Sequence, residues 1–156
     1  MPNVFNLYGD GPWDRTEDRP GWRSKDAWVG RRIGAELIGG SMYELEPGDR
    51  LWPYHTHHAN EEWLLVVRGQ PTLRTAEGEQ NLEEGDVVAF PRGHRGFHQV
   101  SNPTDVSIRV LMLSTLILPE IIEYPDSGKV GTSSANGEQL FLGRPGEALD
   151  YWEGEN

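Results

Sequence analysis

The sequence has no cysteine, which excludes disulfides and thiolate metal ligands together. Absence of cysteine fits a reducing cytosol. The opening stretch MPNVFNLYGDGPW has no basic segment leading into an apolar one, so no secretory signal is read there. A cytoplasmic location is the expectation. Long apolar runs are also missing. The longest, about Val110 to Leu118, is interrupted by Ser114 and Thr115, far short of the roughly 20 residues a membrane-spanning helix needs. Positive charge is scarce: 14 Lys and Arg stand against 25 Asp and Glu, a formal net charge of −11. Such a chain repels phosphodiester backbones and anionic lipid, so neither nucleic acid nor a membrane is an expected partner. The sequence holds no internal repeat, no P-loop or dinucleotide fingerprint, and no serine in a nucleophile setting.

What remains is an aromatic, turn-rich chain of one-domain length. It has 156 residues, 36% of them hydrophobic, with six Trp, 19 Gly and 11 Pro. That composition is too apolar for disorder, and frequent breakers favour short strands over long helices. Residues 1–35, rich in Pro, Gly, Asp and Arg, read as an irregular arm anchored by Trp13, Trp22 and Trp28. From about 36 to 118 short apolar stretches alternate with turn clusters such as LEPGD, VRGQP, AEGE and LEEGD, the spacing of a sandwich or barrel. AEGE at 76–79 predicts a tight hairpin. The strand over Val106–Leu113 turns apolar on both faces, so it needs cover on both sides, from a second sheet and from another segment or subunit. Residues 119–156 read as a weaker C-terminal extension, with QLFLG as one more strand.

All five histidines lie between positions 55 and 98. In a strand, residues two apart share a face, so His55 and His57 point the same way and Thr56 points away. Glu61 or Glu62 opens the next strand, EEWLLVV, and His98 lies in a third segment. Imidazole with carboxylate suits Fe, Mn, Co, Ni or Zn, whereas calcium or magnesium prefers more oxygen ligands. Three nitrogens and one carboxylate leave coordination positions open for chemistry. His58, adjacent to His57, falls on the opposite face.

By the same parity Trp52, Tyr54 and Trp63 fall opposite the ligands, as packing residues. Leu64 and Val66 share a face with Glu62, and Val100 with His98, giving an apolar lining below the metal. Gly48, Gly69, Gly85 and Gly93 read as turn residues. Arg92, His94 and Arg95 crowd one turn of an acidic chain. They are candidates to bind an anionic substrate, with Glu61 and His94 as candidate proton-transfer groups.

The segment from Gly48 to Gly69, with His55-Thr-His57 and Glu62, resembles the first cupin motif. The segment Gly85 to Asn102, with Pro91, Gly93 and His98, resembles the second. The turn before His98 is two residues longer than usual, and position 96, where the usual spacing puts the histidine, is Gly96. Asn102 keeps its family spacing from His98. The six residues between Glu62 and Gly69 favour Glu62 over Glu61. The resemblance implies an all-β double-stranded β-helix (a jelly-roll barrel) holding one divalent metal ion through His55, His57, Glu62 and His98. It also implies a small-molecule ligand and, commonly, a homodimer. The activities it implies are dioxygenase-type chemistry on an organic anion, or metal-dependent isomerisation or epimerisation of a sugar or sugar phosphate, or binding without turnover.

Overall fold

The turn clusters divide the chain into short strands, and these pair into two antiparallel sheets. The structure is a computed structural model and describes residues 1 and 3–155. Its strands are β1 (Arg15–Glu17), β2 (Ser24–Ala27), β3 (Ile38–Leu45), β4 (Arg50–His57), β5 (Glu62–Arg68), β6 (Thr72–Thr75) and β7 (Gly78–Asn81), followed by β8 (Val87–Phe90), β9 (His98–Ser101), β10 (Ile108–Thr115), β11 (Glu120–Tyr124), β12 (Lys129–Ser133) and β13 (Gln139–Gly143). A five-residue helix, α1 (Val29–Ile33), and a single 3-10 turn (Gly93–Gly96) complete it. One sheet runs β1-β2-β3-β10-β5-β8, the other β13-β12-β11-β4-β9-β6-β7. The two face each other across a core that includes Leu45, Leu64, Val66, Leu73, Val100 and Val110. Burying each such side chain contributes roughly 1.5–3 kcal/mol. This is the expected all-β, double-stranded β-helix arrangement.

Several expectations find their counterparts. Ala76 and Glu77 form the two-residue hairpin between β6 and β7, and QLFLG is β13. Gly48, Gly69, Gly85 and Gly93 all have positive φ. Leu64, Val66 and Val100 lie in the core.

Two regions differ from the sequence reading. The N-terminal arm is not irregular throughout, because it supplies β1, β2 and α1, and β2 pairs with β3 from Ser24↔Leu45 to Ala27↔Met42. The strands are short and polar, which hides their period. The arm is also the cover that β10 required: Phe5, Leu7 and Trp13 pack against a cluster of Ala27, Val29, Met42, Val67 and Leu111 on the outer face. Arg109 fixes it there, donating to the carbonyls of Leu7 (2.9 Å) and Gly9 (2.7 Å) while its other end meets Glu44 at 2.6 Å. The C-terminal segment is likewise built into the barrel: β11 pairs with β4 through Ile122↔His57 and Glu123↔Thr56. Among the described residues, no helix is long and apolar enough to cross a membrane.

Candidate metal centre

Two strands of one sheet and the first residue of a strand from the other converge at one end of the barrel. His55 on β4 and His98 on β9 are direct cross-strand partners, which places their rings 4.6 Å apart. His57, two residues along β4, has its ring 5.1 Å from His55. Thr56 points away and donates its hydroxyl to the Gly93 carbonyl at 2.6 Å. Glu62 begins β5 in the facing sheet, opposite Phe90, whose ring lies flat on His98 at 3.8 Å. Each contact is a consequence of strand register, so the four side chains are held by the sheets and not by loops.

Hydrogen bonds fix the tautomers. His55 Nδ1 lies 2.7 Å from the Pro53 carbonyl and His98 Nδ1 2.8 Å from the Gly96 carbonyl. A carbonyl can only accept, so both Nδ1 atoms carry the proton. His57 Nδ1 donates to the Glu120 carboxylate at 3.1 Å. In the neutral rings all three Nε2 atoms are then bare lone pairs. Glu62 Oε2 lies 3.4 Å from His57 Nε2 and 3.3 Å from His98 Nε2, is buried, and has no hydrogen-bond partner. Lone pairs facing a buried carboxylate oxygen repel unless a cation stands among them.

The titration directions follow from the same close packing of rings and carboxylate. Burial first, then repulsion from His98 and His57, pushes His55 down to about 4, so it stays neutral at physiological pH. Burial alone would raise the Glu62 carboxyl; a hydrogen bond from His98 and the positive charge of His57, His98 and His55, all of which require protonated rings, outweigh it and hold it below its ordinary value, and among neutral rings that compensating charge has to come from a cation. Nitrogen and carboxylate donors of this kind fit a first-row divalent ion. Donor atoms of His55, Glu62 and His98 lie within 4.8 Å of one another, with His57 beside them on the cavity wall.

The remaining candidates lie elsewhere. Glu61 points outward and accepts from Trp63 Nε1 at 3.0 Å. Arg92 and Arg95 line a separate surface hollow with His58 and Glu61. His94 is 76% exposed, 3.6 Å from Glu123. None of these five lines the cavity that holds His55, His57, Glu62 and His98; the 3-10 turn carries His94 and Arg95 outward. His58 also turns out, to Glu123 at 2.6 Å. Within the longer turn before His98, position 96 has room only for glycine: a Cβ there would lie 1.8 Å from the Pro91 carbonyl oxygen.

Trp52 departs from strand parity. Leu51 pairs with Val100 and His55 with His98, so β4 carries two more residues than β9 over this stretch. Trp52 sits within it at φ 54°, a backbone region disfavoured for a bulky residue. This bulge turns Trp52 onto the cavity wall, edge-on to Tyr43 at 5.8 Å. Tyr54 stays outside, stacked on Phe97, and Trp63 remains on the outer surface. The cavity, about 270 Å³, is completed by Tyr43, Pro53, Met112, Ile122 and Tyr124. Burial pushes the phenols of Tyr43 and Tyr124 up, so both remain protonated donors.

Sequence reasoning missed Glu120 and Asn60. Glu120, 6% exposed, holds His57 and also accepts from the backbone N–H of His58, Ala59 and Ile121. Asn60 bonds to Glu120 and to the Ile117 carbonyl. The available signal was a carboxylate flanked by apolar residues in Ile-Leu-Pro-Glu120-Ile-Ile, where burial requires a partner.

With this geometry in place, comparison with known proteins is decisive for the fold. Residues 41–114 match the family model described as the cupin domain. This segment, residues 41–114, carries a cupin domain. No curated protein matches the sequence significantly. Among solved structures, a candidate sugar phosphate isomerase from Acidithiobacillus ferrooxidans is similar at 27% identity and TM-score 0.75, over 84% of this chain and 83% of that one. A cupin-superfamily sugar phosphate isomerase from Silicibacter pomeroyi is similar at 28% identity and TM-score 0.74, over 82% and 81%. A cupin-like protein from Thermotoga maritima, 19% identical at TM-score 0.58 over 72% and 86%, shares the fold.

Proposed function

We propose that this cupin is a metal-dependent enzyme that isomerises a small polar substrate of the sugar or sugar-phosphate class. One observation carries the metal: the buried, unpartnered Glu62 Oε2 facing the bare Nε2 atoms of His57 and His98. His55, His57, Glu62 and His98 would hold one divalent ion, which would supply Lewis-acid polarisation of a carbonyl. The substrate class is supported by the names of the two relatives of 27% and 28% identity.

The chain's own residues fit such a role. Trp52, Pro53, Met112 and Ile122 exclude water from one side of the cavity. Tyr43 and Tyr124, both kept protonated, offer hydrogen-bond donors to substrate oxygens. His57 is held by Glu120 and cannot turn away. Among the described residues Glu62 is the one carboxylate lining the cavity, and as a metal ligand it would leave proton transfer to the Tyr43 and Tyr124 hydroxyls or to solvent.

A second reading is dioxygenase-type chemistry on an organic anion. It is favoured by the donor set, which suits iron, manganese or nickel as well as zinc.

Metal analysis of protein purified without added metal is the first test, and one equivalent per chain is expected. Metal-loaded protein is then offered aldose and ketose phosphates in D2O, and isomerisation and solvent deuterium incorporation are followed by NMR. Oxygen uptake with 1,2-diketones or catechols, without isomerisation, would replace the first reading by the second. Full metal content in His55→Ala and His98→Ala variants would refute the site itself.

A further inference from the structure

A second cavity, about 470 Å³, adjoins the metal cavity and shares Trp52, Pro53 and Tyr124 with it. Its rim is built from the N-terminal arm, the start of β4 and the start of β12, which bring Arg19, Arg50 and Lys129 to one hollow. Among the described residues, none of these three side chains forms an ion pair. The two carboxylates in the same lining are already engaged: Glu17 with Arg15 at 3.1 Å, and Asp126 with both terminal nitrogens of Arg74 at 2.7 and 2.8 Å. Unsatisfied positive charge therefore gathers here, on a chain whose net charge is −11.

The cations are also positioned. The Arg50 guanidinium lies over the Trp22 ring at 5.1 Å, and the Lys129 ammonium over Tyr124 at 5.3 Å. An aromatic face orients a cation without occupying its N–H donors. The Tyr124 ring that carries Lys129 is itself stacked against His55 at 6.0 Å. One ring thus joins the cationic hollow to the ligand set.

We propose that this cleft binds the phosphate group of a substrate whose reacting end lies in the metal cavity. The proposal rests on the reading of that cavity as the active site. Three cations outside any ion pair match a dianion better than a single carboxylate, and all three, two arginines and a lysine, are side chains of the kind that recognise phosphate. Anion recognition then falls at Arg19, Arg50 and Lys129, and not at the turn carrying Arg92, His94 and Arg95.

Calorimetric titration of the metal-loaded protein tests this, with D-ribose 5-phosphate, D-ribose, D-gluconate and inorganic phosphate as probes. D-Ribose 5-phosphate should bind at least about ten-fold more tightly than D-ribose, and Arg50→Gln/Lys129→Gln should remove that advantage, while Arg92→Gln/Arg95→Gln should stay within about two-fold of wild type. Metal content and melting temperature should not change. If the double variant folds poorly, Arg19→Gln alone should still weaken the phosphate probes. An unchanged affinity in Arg50→Gln/Lys129→Gln overturns the proposal. So does a loss confined to Arg92→Gln/Arg95→Gln, or D-gluconate binding as well as D-ribose 5-phosphate. His98→Ala separates this from the metal reading: inorganic phosphate should still bind after the metal is lost. A wild type that takes no metal, yet binds phosphate through Arg50 and Lys129, removes the functional reading and leaves the anion cleft standing.

Discussion

Replacing Glu120 by glutamine tests whether the buried carboxylate sets the metal ligand or only clamps a loop. Glu120 Oε1 accepts from the N–H groups of His58 (3.2 Å), Ala59 (2.9 Å) and Ile121 (2.8 Å), and Oε2 from Asn60 Nδ2 and from His57 Nδ1 (3.1 Å). Burial alone would raise this carboxyl. The Ala59, Asn60, His57 and Ile121 contacts outweigh it and hold it below the ordinary carboxylate value, so it is ionised at neutral pH. Glutamine keeps the volume and can keep the Oε1 role through its carbonyl. Its amide nitrogen then faces two donors where Oε2 stood. Two hydrogen bonds to a charged acceptor are lost, each ordinarily about 1.5–3 kcal/mol, so after local relaxation the metal-free protein should lose about 2–4 kcal/mol.

The second effect is specific to the metal. His57 relieves the clash by moving its proton to Nε2 or by rotating, and either change spoils it as a ligand. Loss of such a supporting carboxylate weakens metal binding about 10- to 100-fold. Co(II) titration against a competing chelator reads that number, and urea unfolding in EDTA reads the stability. A variant that loses stability but binds Co(II) as tightly as wild type would refute the reasoning, because Glu120 would then serve only the loop.

Three further outcomes are expected. For His55, the reference value is 6.5 and the folded value about 4; the unfolded chain gains a proton that the folded one refuses, so metal-free protein should lose on the order of 3 kcal/mol as pH falls from about 6.5 to about 4, with no change above. Urea midpoints of wild type and His55→Gln across that window check it, and parallel curves would refute it. Gly96→Ala drives a methyl into the Pro91 carbonyl oxygen, so the turn must shift and carry His98 with it; metal content after purification should fall sharply, and a full complement would contradict the packing. Arg109→Ala strips a buried fork from Leu7, Gly9 and Glu44 and should cost about 3–5 kcal/mol, with faster limited proteolysis within residues 1–14; an unchanged cleavage rate would show that the arm is held by its aromatics alone.

The legible parts of this molecule are those in which period two survives. His55-Thr56-His57 alternates cleanly, so its two imidazoles share a face in sequence and in space. Six residues separate Glu62 from Gly69, and the structure brings Glu62, not Glu61, to the histidines. Parity failed where the strand is irregular: two extra residues in β4 move Trp52 onto the cavity wall. The arm was opaque because Arg-Thr-Glu and Ser-Lys-Asp-Ala carry no apolar alternation to betray a strand. Arg92, His94 and Arg95 were close to His98 in sequence, but a tight turn separates direction from distance along the chain. Arg19, Arg50 and Lys129 come from three distant segments, and only the folded topology joins them.

The irregularity in β4 has an evolutionary consequence. Its insertion is even in length, so it leaves His55 and His57 facing inward, whereas a single inserted residue would have flipped both to the outside. Trp52 and Pro53 can therefore be lost, kept or exchanged in descendants without rephasing the ligands that follow. Selection can reshape what the pocket accepts while the donor set stays fixed, and homologues with identical donor sets need not share a substrate.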